Sequence, residues 1–423
     1  MWDGVLNPSF CSSEAMTAHT KSKTEVSLPE MLSRHRDGYA LEQGFYTSPE
    51  IFREDMERVF MPDWHFAGHI SELREPGDFL LFEMMEESVI IARDGDGEIH
   101  ALANVCRHRG SRVCLEQRGN ARRFSCPYHA WTYNLDGSLF SARLMDAGLD
   151  RSALGLKPVP LEIFHGLIFV SFAEDPASFE AARNELDHIL APFQLDKTRI
   201  AHRESYPVKA NWKLLVENYN ECYHCAPAHP EFARAHPTHM DFDRMEPLNE
   251  AMIPRSEALG IPTDTVDRVG PLCPPGSVDY TVSRHSLYEG TDTGSEDGKQ
   301  VAPLLGDIRG FDQAACDLYI GVFNPFLIYN DHAVLYRFIP VDTQNSIQEI
   351  IWLVRKDAEE GRDYDPERLT WLWAVTTKAD KFIIEKNQQG VNSRYYEPGP
   401  LAGMEAFTKR FLDLYLKRMG RKA

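Results

Sequence analysis

Basic charge is scarce in this chain: 45 lysines and arginines stand against 64 aspartates and glutamates, a formal net charge of −19. Nucleic acids and anionic membranes bind through basic surface, so neither is expected as a partner. Long apolar runs are missing as well. "LIFVSF" at 167–172 is about the longest, far short of the roughly 20 residues that span a bilayer. The first 23 residues lack the charged start and apolar core of a secretory signal. They read as a polar leader, with Met16 as an alternative start. Cysteine is sparse: eight residues, at 11, 106, 114, 126, 222, 225, 273 and 316. With no export signal in view, the expected setting is cytoplasmic with reduced thiols, and clustered cysteines then lean toward metal. No G-x-G-x-x-G loop and no internal repeat occur, which argues against a nucleotide cofactor held by this chain and against a solenoid.

What is present is a chain of 423 residues with 43% apolar and 11% aromatic content. That suffices for two folded cores. "TSPEIFREDMERVF" places Thr47 and Ser48 as candidate N-caps, Pro49 in the first turn and Ile51, Met56, Val59 and Phe60 in a helical stripe. From 63 to 172 short alternating or apolar runs are divided by Gly and Asp turns, the texture of an all-β domain. Residues 175–235 read as helical, 280–310 as a Gly/Ser/Asp-rich lid or surface loop, and the remainder as β followed by C-terminal helices. The organisation expected is a leader with helices (1–45), a β domain (46–172) and an α+β domain (173–423).

Within the β domain, Cys106-x-His108 and Cys126-x-x-His129 put two thiolates and two imidazoles on two short loops. Tetrahedral zinc and a Rieske [2Fe–2S] centre both accept this set. Zinc fingers usually pair like with like in each half, whereas here each half carries one Cys and one His. Gly110 and Pro127 suit tight loops, and Cys114 is left over as a buried thiol.

A second constellation lies in "NWKLLVENYNECYHCAPAHPEF" (211–232). Read as a helix from Asn211 to Tyr223, it carries Glu217, Glu221 and His224 on one face, and Pro227 ends it. His229 then folds back toward His224. Two imidazoles with a carboxylate from elsewhere form the triad that leaves positions open on non-haem Fe(II). Cys222 and Cys225 form a lone C-x-x-C, read here as two core thiols.

These motifs, in this order over residues 40–420, resemble the α subunit of the Rieske non-haem iron oxygenases, the ring-hydroxylating dioxygenases. The resemblance implies an α+β fold: an all-β Rieske domain, then a catalytic domain with an antiparallel sheet covered by helices (helix-grip, START-like). It implies cluster ligation by Cys106, His108, Cys126 and His129, and a mononuclear iron on His224, His229 and Asp380. Asp380 matches the family's carboxylate a few residues before Glu-x-x-Gln in "TTKADKFIIEKNQQG", although the often acidic residue before it is Ala379 here. Glu221 matches the bridge that carries electrons between subunits, where the family usually has Asp. The longer side chain resembles the glycine betaine, stachydrine (proline betaine) and carnitine demethylases. O2 as co-substrate, NAD(P)H electrons through a separate flavin/iron–sulfur reductase, a head-to-tail homotrimer and N-demethylation with formaldehyde release follow as expectations. Aromatic-ring hydroxylation is the alternative within the family, and an electron carrier or a structural zinc protein are the alternatives outside it. Tyr319, Phe323, Phe326, Tyr329 and Tyr336 are candidates for a cation-binding pocket, most of them expected in the sheet core.

Overall fold

The computed structural model describes residues 27–146, 148–265 and 276–421. The leader, Cys11, Met16 and Cys273 lie outside the described residues. Among the described residues the fold opens with three helices: α1 (Leu28–Arg34), α2 (Gln43–Thr47) and α3 (Pro49–Asp55). α3 begins where its sequence signal lies, with the Ser48 hydroxyl accepting the Ile51 N–H at 3.4 Å and Pro49 in the first turn. These helices are tied to the far end of the chain. Gln43 donates to the carbonyls of Val391 and Ser393, and the Tyr46 hydroxyl donates to Glu217.

The β domain carries ten strands: β1 (Trp64–His69), β2 (Asp78–Met84), β3 (Glu87–Arg93), β4 (Ile99–Ala103), β5 (Arg118–Asn120), β6 (Phe124–Ser125), β7 (Thr132–Tyr133), β8 (Leu139–Ser141), β9 (Leu161–Phe164) and β10 (Leu167–Ser171). They form three small sheets, ordered β4-β3-β2-β5, β6-β7-β8 and β1-β10-β9. A compact core of Phe79, Ile90, Leu102, Phe124, Trp131 and Tyr133 holds the first two together.

After α4 (Glu180–Leu190) comes one six-stranded antiparallel sheet, ordered β11-β16-β15-β14-β13-β12. Its strands are β11 (Thr198–Val208), β12 (Tyr280–Ser286), β13 (Ala314–Ile320), β14 (Pro325–Ile328), β15 (Ala333–Asp342) and β16 (Asn345–Arg355). β11 corrects the helical reading of 175–235. Among the described residues it is an edge strand pairing only with β16, and "TRIAHRESYPV" carries the charges that edges tolerate instead of an apolar alternation. The stretch 280–310 is neither a lid nor a loose loop: its start is β12, and Thr293 and the Val301 N–H bond to the buried carboxylate of Asp331.

Side chains alternate across this sheet with period two. Val282, Cys316, Leu318, Phe326, Leu335, Ile351 and Leu353 face a core shared with α4 and with Phe66 and Phe169 of the β domain. Burying each large side chain there contributes roughly 1.5–3 kcal/mol. The opposite face presents Leu327, Val334, Tyr336, Ile350 and Trp352 to a second core, which holds Leu214, Leu215, Leu369 and Trp373 from the covering helices α5 (Trp212–Tyr219) and α9 (Pro366–Val391). Between α5 and β12 lie the short α6 (Cys225–Ala228) and α7 (Pro230–Ala233) and the longer α8 (Phe242–Ala258), and α10 (Ala406–Arg418) packs against α5, completing an α+β architecture with helices over an antiparallel sheet.

Candidate active site

The two Cys–His loops of the β domain share one backbone plan. In the first, the Gly110 N–H reaches the Cys106 carbonyl (2.9 Å) and the Cys106 N–H reaches Ser111 (2.8 Å). In the second, Ala130 N–H reaches Cys126 (3.0 Å) and Cys126 N–H reaches Trp131 (2.8 Å). Each loop closes through a left-handed residue, Gly110 at φ +78° and Ala130 at φ +57°. The sequence reading singled out Gly110 and Pro127 but missed that Ala130 takes the glycine position. Both cysteines are buried, His108 is half-buried and His129 is exposed. The two imidazole rings lie 4.6 Å apart, and His108 stacks on Trp131. Burial alone would raise the Cys126 thiol, but the backbone N–H of Tyr128, the Cys106 thiol and the His129 N–H hold it below the usual thiol range. That favours the thiolate a metal needs. Cys114 is buried and free, with burial pushing its thiol up.

The second constellation differs from the single helix expected. α5 starts at its Asn211 cap and stops at Tyr219, where the Asn220 side chain takes the Val216 carbonyl at 2.8 Å. Glu221 and His224 therefore sit on the following turn, not on the helix face. Glu217 is on α5 but points away, toward Tyr46. Pro227 does not end α5. It lies inside a separate turn, α6 (Cys225–Ala228), near whose start a missing N–H is harmless. Cys222 and Cys225 are not two core thiols but a disulfide, since the turn brings their Cα atoms to 4.9 Å, well within disulfide reach.

This turn brings His224 and His229 together with rings 5.1 Å apart and nearly perpendicular. Asp380, on α9, places Oδ1 3.2 Å from His224 Nε2 and 3.0 Å from His229 Nε2. Both ring nitrogens of His229 and Asp380 Oδ1 are buried without a partner of hydrogen-bond geometry. Orphaned donors and acceptors of this kind are costly unless something else satisfies them. A divalent iron fits, because two imidazoles and one carboxylate are the donor set that binds it while leaving sites open. Cys225 lies within the same donor cluster as the histidines, but its sulfur is committed to Cys222. Burial would lower the His224 pKa, yet Asp380 and Glu221 outweigh it and lift it to about 9. Burial likewise works against the Asp380 carboxylate, and the two imidazoles hold it below its usual range. His224 Nδ1–H donates to Glu221 Oε1 at 2.5 Å.

His224, His229 and Asp380 line one cavity of about 200 Å³, small beside the roughly 300–1,000 Å³ of drug-sized sites. Asn218, Phe232, Trp373 and Tyr336 share its walls. Of the aromatic candidates, Tyr336 lines this cavity and Tyr319 an adjoining one, while Phe323, Phe326 and Tyr329 are core residues. Sequence reasoning missed Asn218, whose Nδ2 lies 3.3 Å from His224 Nε2, although it stands in the quoted motif. It also missed Asp317, Ser283, His285 and Gln348, which reach the cavity from the sheet.

A β domain bearing paired Cys–His loops, joined to a helix-covered sheet with two histidines and a carboxylate converging, is the build of a two-centre oxygenase subunit. Residues 63–160 match the Rieske [2Fe-2S] domain and residues 195–421 match the ring hydroxylating alpha subunit catalytic domain. The chain belongs to the Rieske ring-hydroxylating α-subunit family, and its two domains imply a Rieske cluster and an iron centre. It is similar to the glycine betaine monooxygenase oxygenase subunit of Chromohalobacter salexigens, 34% identical over 93% of this chain and 90% of that one. The carnitine monooxygenase oxygenase subunit of Escherichia coli is 28% identical over 87% of this chain and 89% of that one. In fold it matches a quaternary ammonium Rieske monooxygenase, CntA (TM-score 0.69, 23% identity, 92% of this chain and 97% of that chain). It also matches naphthalene 1,2-dioxygenase from Rhodococcus sp. (TM-score 0.64, 20% identity, 94% and 98%).

Proposed function

We propose that this protein is the oxygenase component of an N-demethylase that oxidises a small quaternary ammonium compound of the glycine betaine or stachydrine type. The observation that carries the reading is the convergence of His224, His229 and Asp380 on the wall of a cavity of about 200 Å³. The family membership and the names of the relatives that match most of the chain support the substrate class. Cys106 and Cys126 would hold one iron of the cluster and His108 and His129 the other, while His224, His229 and Asp380 would hold the mononuclear iron. When bound, the cluster supplies electrons one at a time and the mononuclear iron supplies activation of O2.

The chain's own groups do the rest. Glu221 accepts the Nδ1–H of His224, which fixes the tautomer and leaves Nε2 as the ligand atom. Its other oxygen, Oε2, accepts the backbone N–H groups of Tyr223 and His224, so the carboxylate is fixed by its own turn. Phe232, Trp373, Leu327 and Leu215 give the cavity apolar walls, and the aromatic faces of Phe232 and Trp373 suit a cation that has no N–H to donate. Hydroxylation of an N-methyl group gives an N-hydroxymethyl compound, which breaks its C–N bond to release formaldehyde, a proton and the tertiary amine.

Electrons are expected from NAD(P)H through a separate flavin/iron–sulfur reductase, with Glu221 linking His224 to the cluster of a neighbouring subunit in a homotrimer. A cytoplasmic setting is part of this reading; among the described residues no helix is long and apolar enough to cross a membrane. The test is substrate-dependent O2 uptake with a reductase across methylated amines and aromatic acids, with formaldehyde measured in parallel. Formaldehyde formed in step with loss of a quaternary amine is the expected result. Hydroxylated aromatic acid without formaldehyde would replace this reading with ring hydroxylation.

A further inference from the structure

The buried carboxylates of the helix-covered domain are nearly all partnered. Asp312 pairs with Arg284, Asp331 with His332 and Thr293, and Asp279 with Arg410. Asp317 differs. Its Oδ1 is buried, and among the described residues no hydrogen-bond donor reaches it and no ion pair includes it. It stands on β13, opposite Ser283 of β12 and Leu327 of β14, on the sheet face that looks toward the covering helices. There it lines both the main cavity and a smaller one of about 40 Å³ beside it. The guanidinium of Arg410 is close enough to influence neighbouring Tyr319, but it is held by both oxygens of Asp279 at 2.8 and 2.7 Å.

Three tyrosines stand around this carboxylate. The Tyr219 ring meets Tyr319 edge-on at 5.7 Å and Tyr336 at 4.9 Å. The charge of Asp317 bears on all three phenols, and that of Asp380 bears on Tyr336 as well, so Tyr336 links the two ends of the site. Asp317 is half-buried with Oδ1 out of water, and a desolvated carboxylate without a partner is costly, a cost that a cationic partner offsets. Aromatic faces around a carboxylate suit a cation held by charge rather than by hydrogen bonds.

We infer that Asp317 is the countercharge that selects a permanent cation in the main cavity, where Tyr219 and Tyr336 form aromatic walls, while Tyr319 lines the smaller cavity on the carboxylate's other side. The inference rests on the N-demethylase reading and adds to it the residue that selects a cationic substrate. It agrees with the burial that pushes the Asp317 carboxyl up to about 7. A bound cation favours the ionised form, so binding near neutral pH expels a proton.

The experiment takes the loaded enzyme and the quaternary amine that yields formaldehyde, together with the analogue in which carbon replaces the nitrogen. In wild type, calorimetry in two buffers of different ionisation enthalpy is expected to show proton release with the cation and none with the analogue. In Asp317→Asn, KM and Kd for the cation rise about tenfold or more. Affinity for the neutral analogue holds within about twofold, kcat changes less than KM, and Asp317→Glu restores part of the loss. The cluster absorption and iron content report that the variant is intact. If Asp317→Asn binds the cation as wild type does, or wild type releases no proton, the inference fails while the demethylase reading stands. If wild type neither binds nor demethylates any quaternary amine, both fail together.

Discussion

Glu221 Oε1 accepts the Nδ1–H of His224 at 2.5 Å, and its partner oxygen Oε2 is taken up by backbone N–H groups of the same turn. The carboxylate is thus a fixed part of the histidine's mounting. Glu221→Gln keeps the length but presents an amide in place of one oxygen, which weakens control of the tautomer. The expected outcome is turnover lowered by about 10–100-fold with iron content nearly unchanged. Turnover and metal analysis on the same preparation check this. A variant that loses iron in proportion to activity would make Glu221 a support for the metal site alone.

His224→Ala and Asp380→Ala each remove one member of the converging donor set. Each is expected to drop iron from three atoms per chain to two, keep the Rieske-type absorption and abolish substrate-dependent O2 uptake. The comparison separates the two metal sites within one protein. A variant that kept the third iron and its turnover would remove that residue from the proposed ligand set.

The Cys–His loops were legible because all their chemistry lies within 24 residues, and short loops leave little freedom for where donors go. His229 and Asp380 are 151 positions apart, and only resemblance to a family could pair them in advance. The helix drawn through Glu217, Glu221 and His224 failed because periodicity cannot see the Asn220 side chain capping the Val216 carbonyl. β11 was missed because an edge strand need not alternate. Asp317 was invisible for a different reason: in "AACDLYI" it looks like one polar residue in a strand. What marks it is a missing partner, and partners belong to the fold.

Ala130 offers a gain rather than a loss. It occupies the left-handed region at φ +57°, the position its sister loop gives to Gly110. A side chain there costs about 1 kcal/mol relative to glycine. Ala130→Gly is expected to stabilise the second Cys–His loop by a fraction of that amount, since glycine also gains freedom in the unfolded chain. The measurement is the half-life of the cluster's visible absorption at elevated temperature, which should lengthen. A shorter half-life would mean that the Ala130 methyl group is needed for packing at the loop.

Glu217 gives a pH signature away from the proposed metal ligands. Burial pushes its carboxyl up to about 8, against which Tyr46 and Lys213 pull only partly, while Glu405 adds to the rise. Tyr396 also feels its charge, as does Tyr415, while Lys213 is itself bound to Asp55. A carboxyl whose folded pKa lies above its unfolded value near 4.5 binds its proton more tightly when folded. Its contribution to stability is therefore complete below about pH 4.5 and is lost progressively as pH rises toward about 8. Glu217→Gln keeps an acceptor for the Tyr46 hydroxyl and cannot ionise. The variant's melting temperature is expected to match wild type near pH 5 and to exceed it by a few degrees near pH 8.5. Thermal unfolding of both proteins across that range decides it, and a constant difference at every pH would show that Glu217 stays ionised in the folded protein.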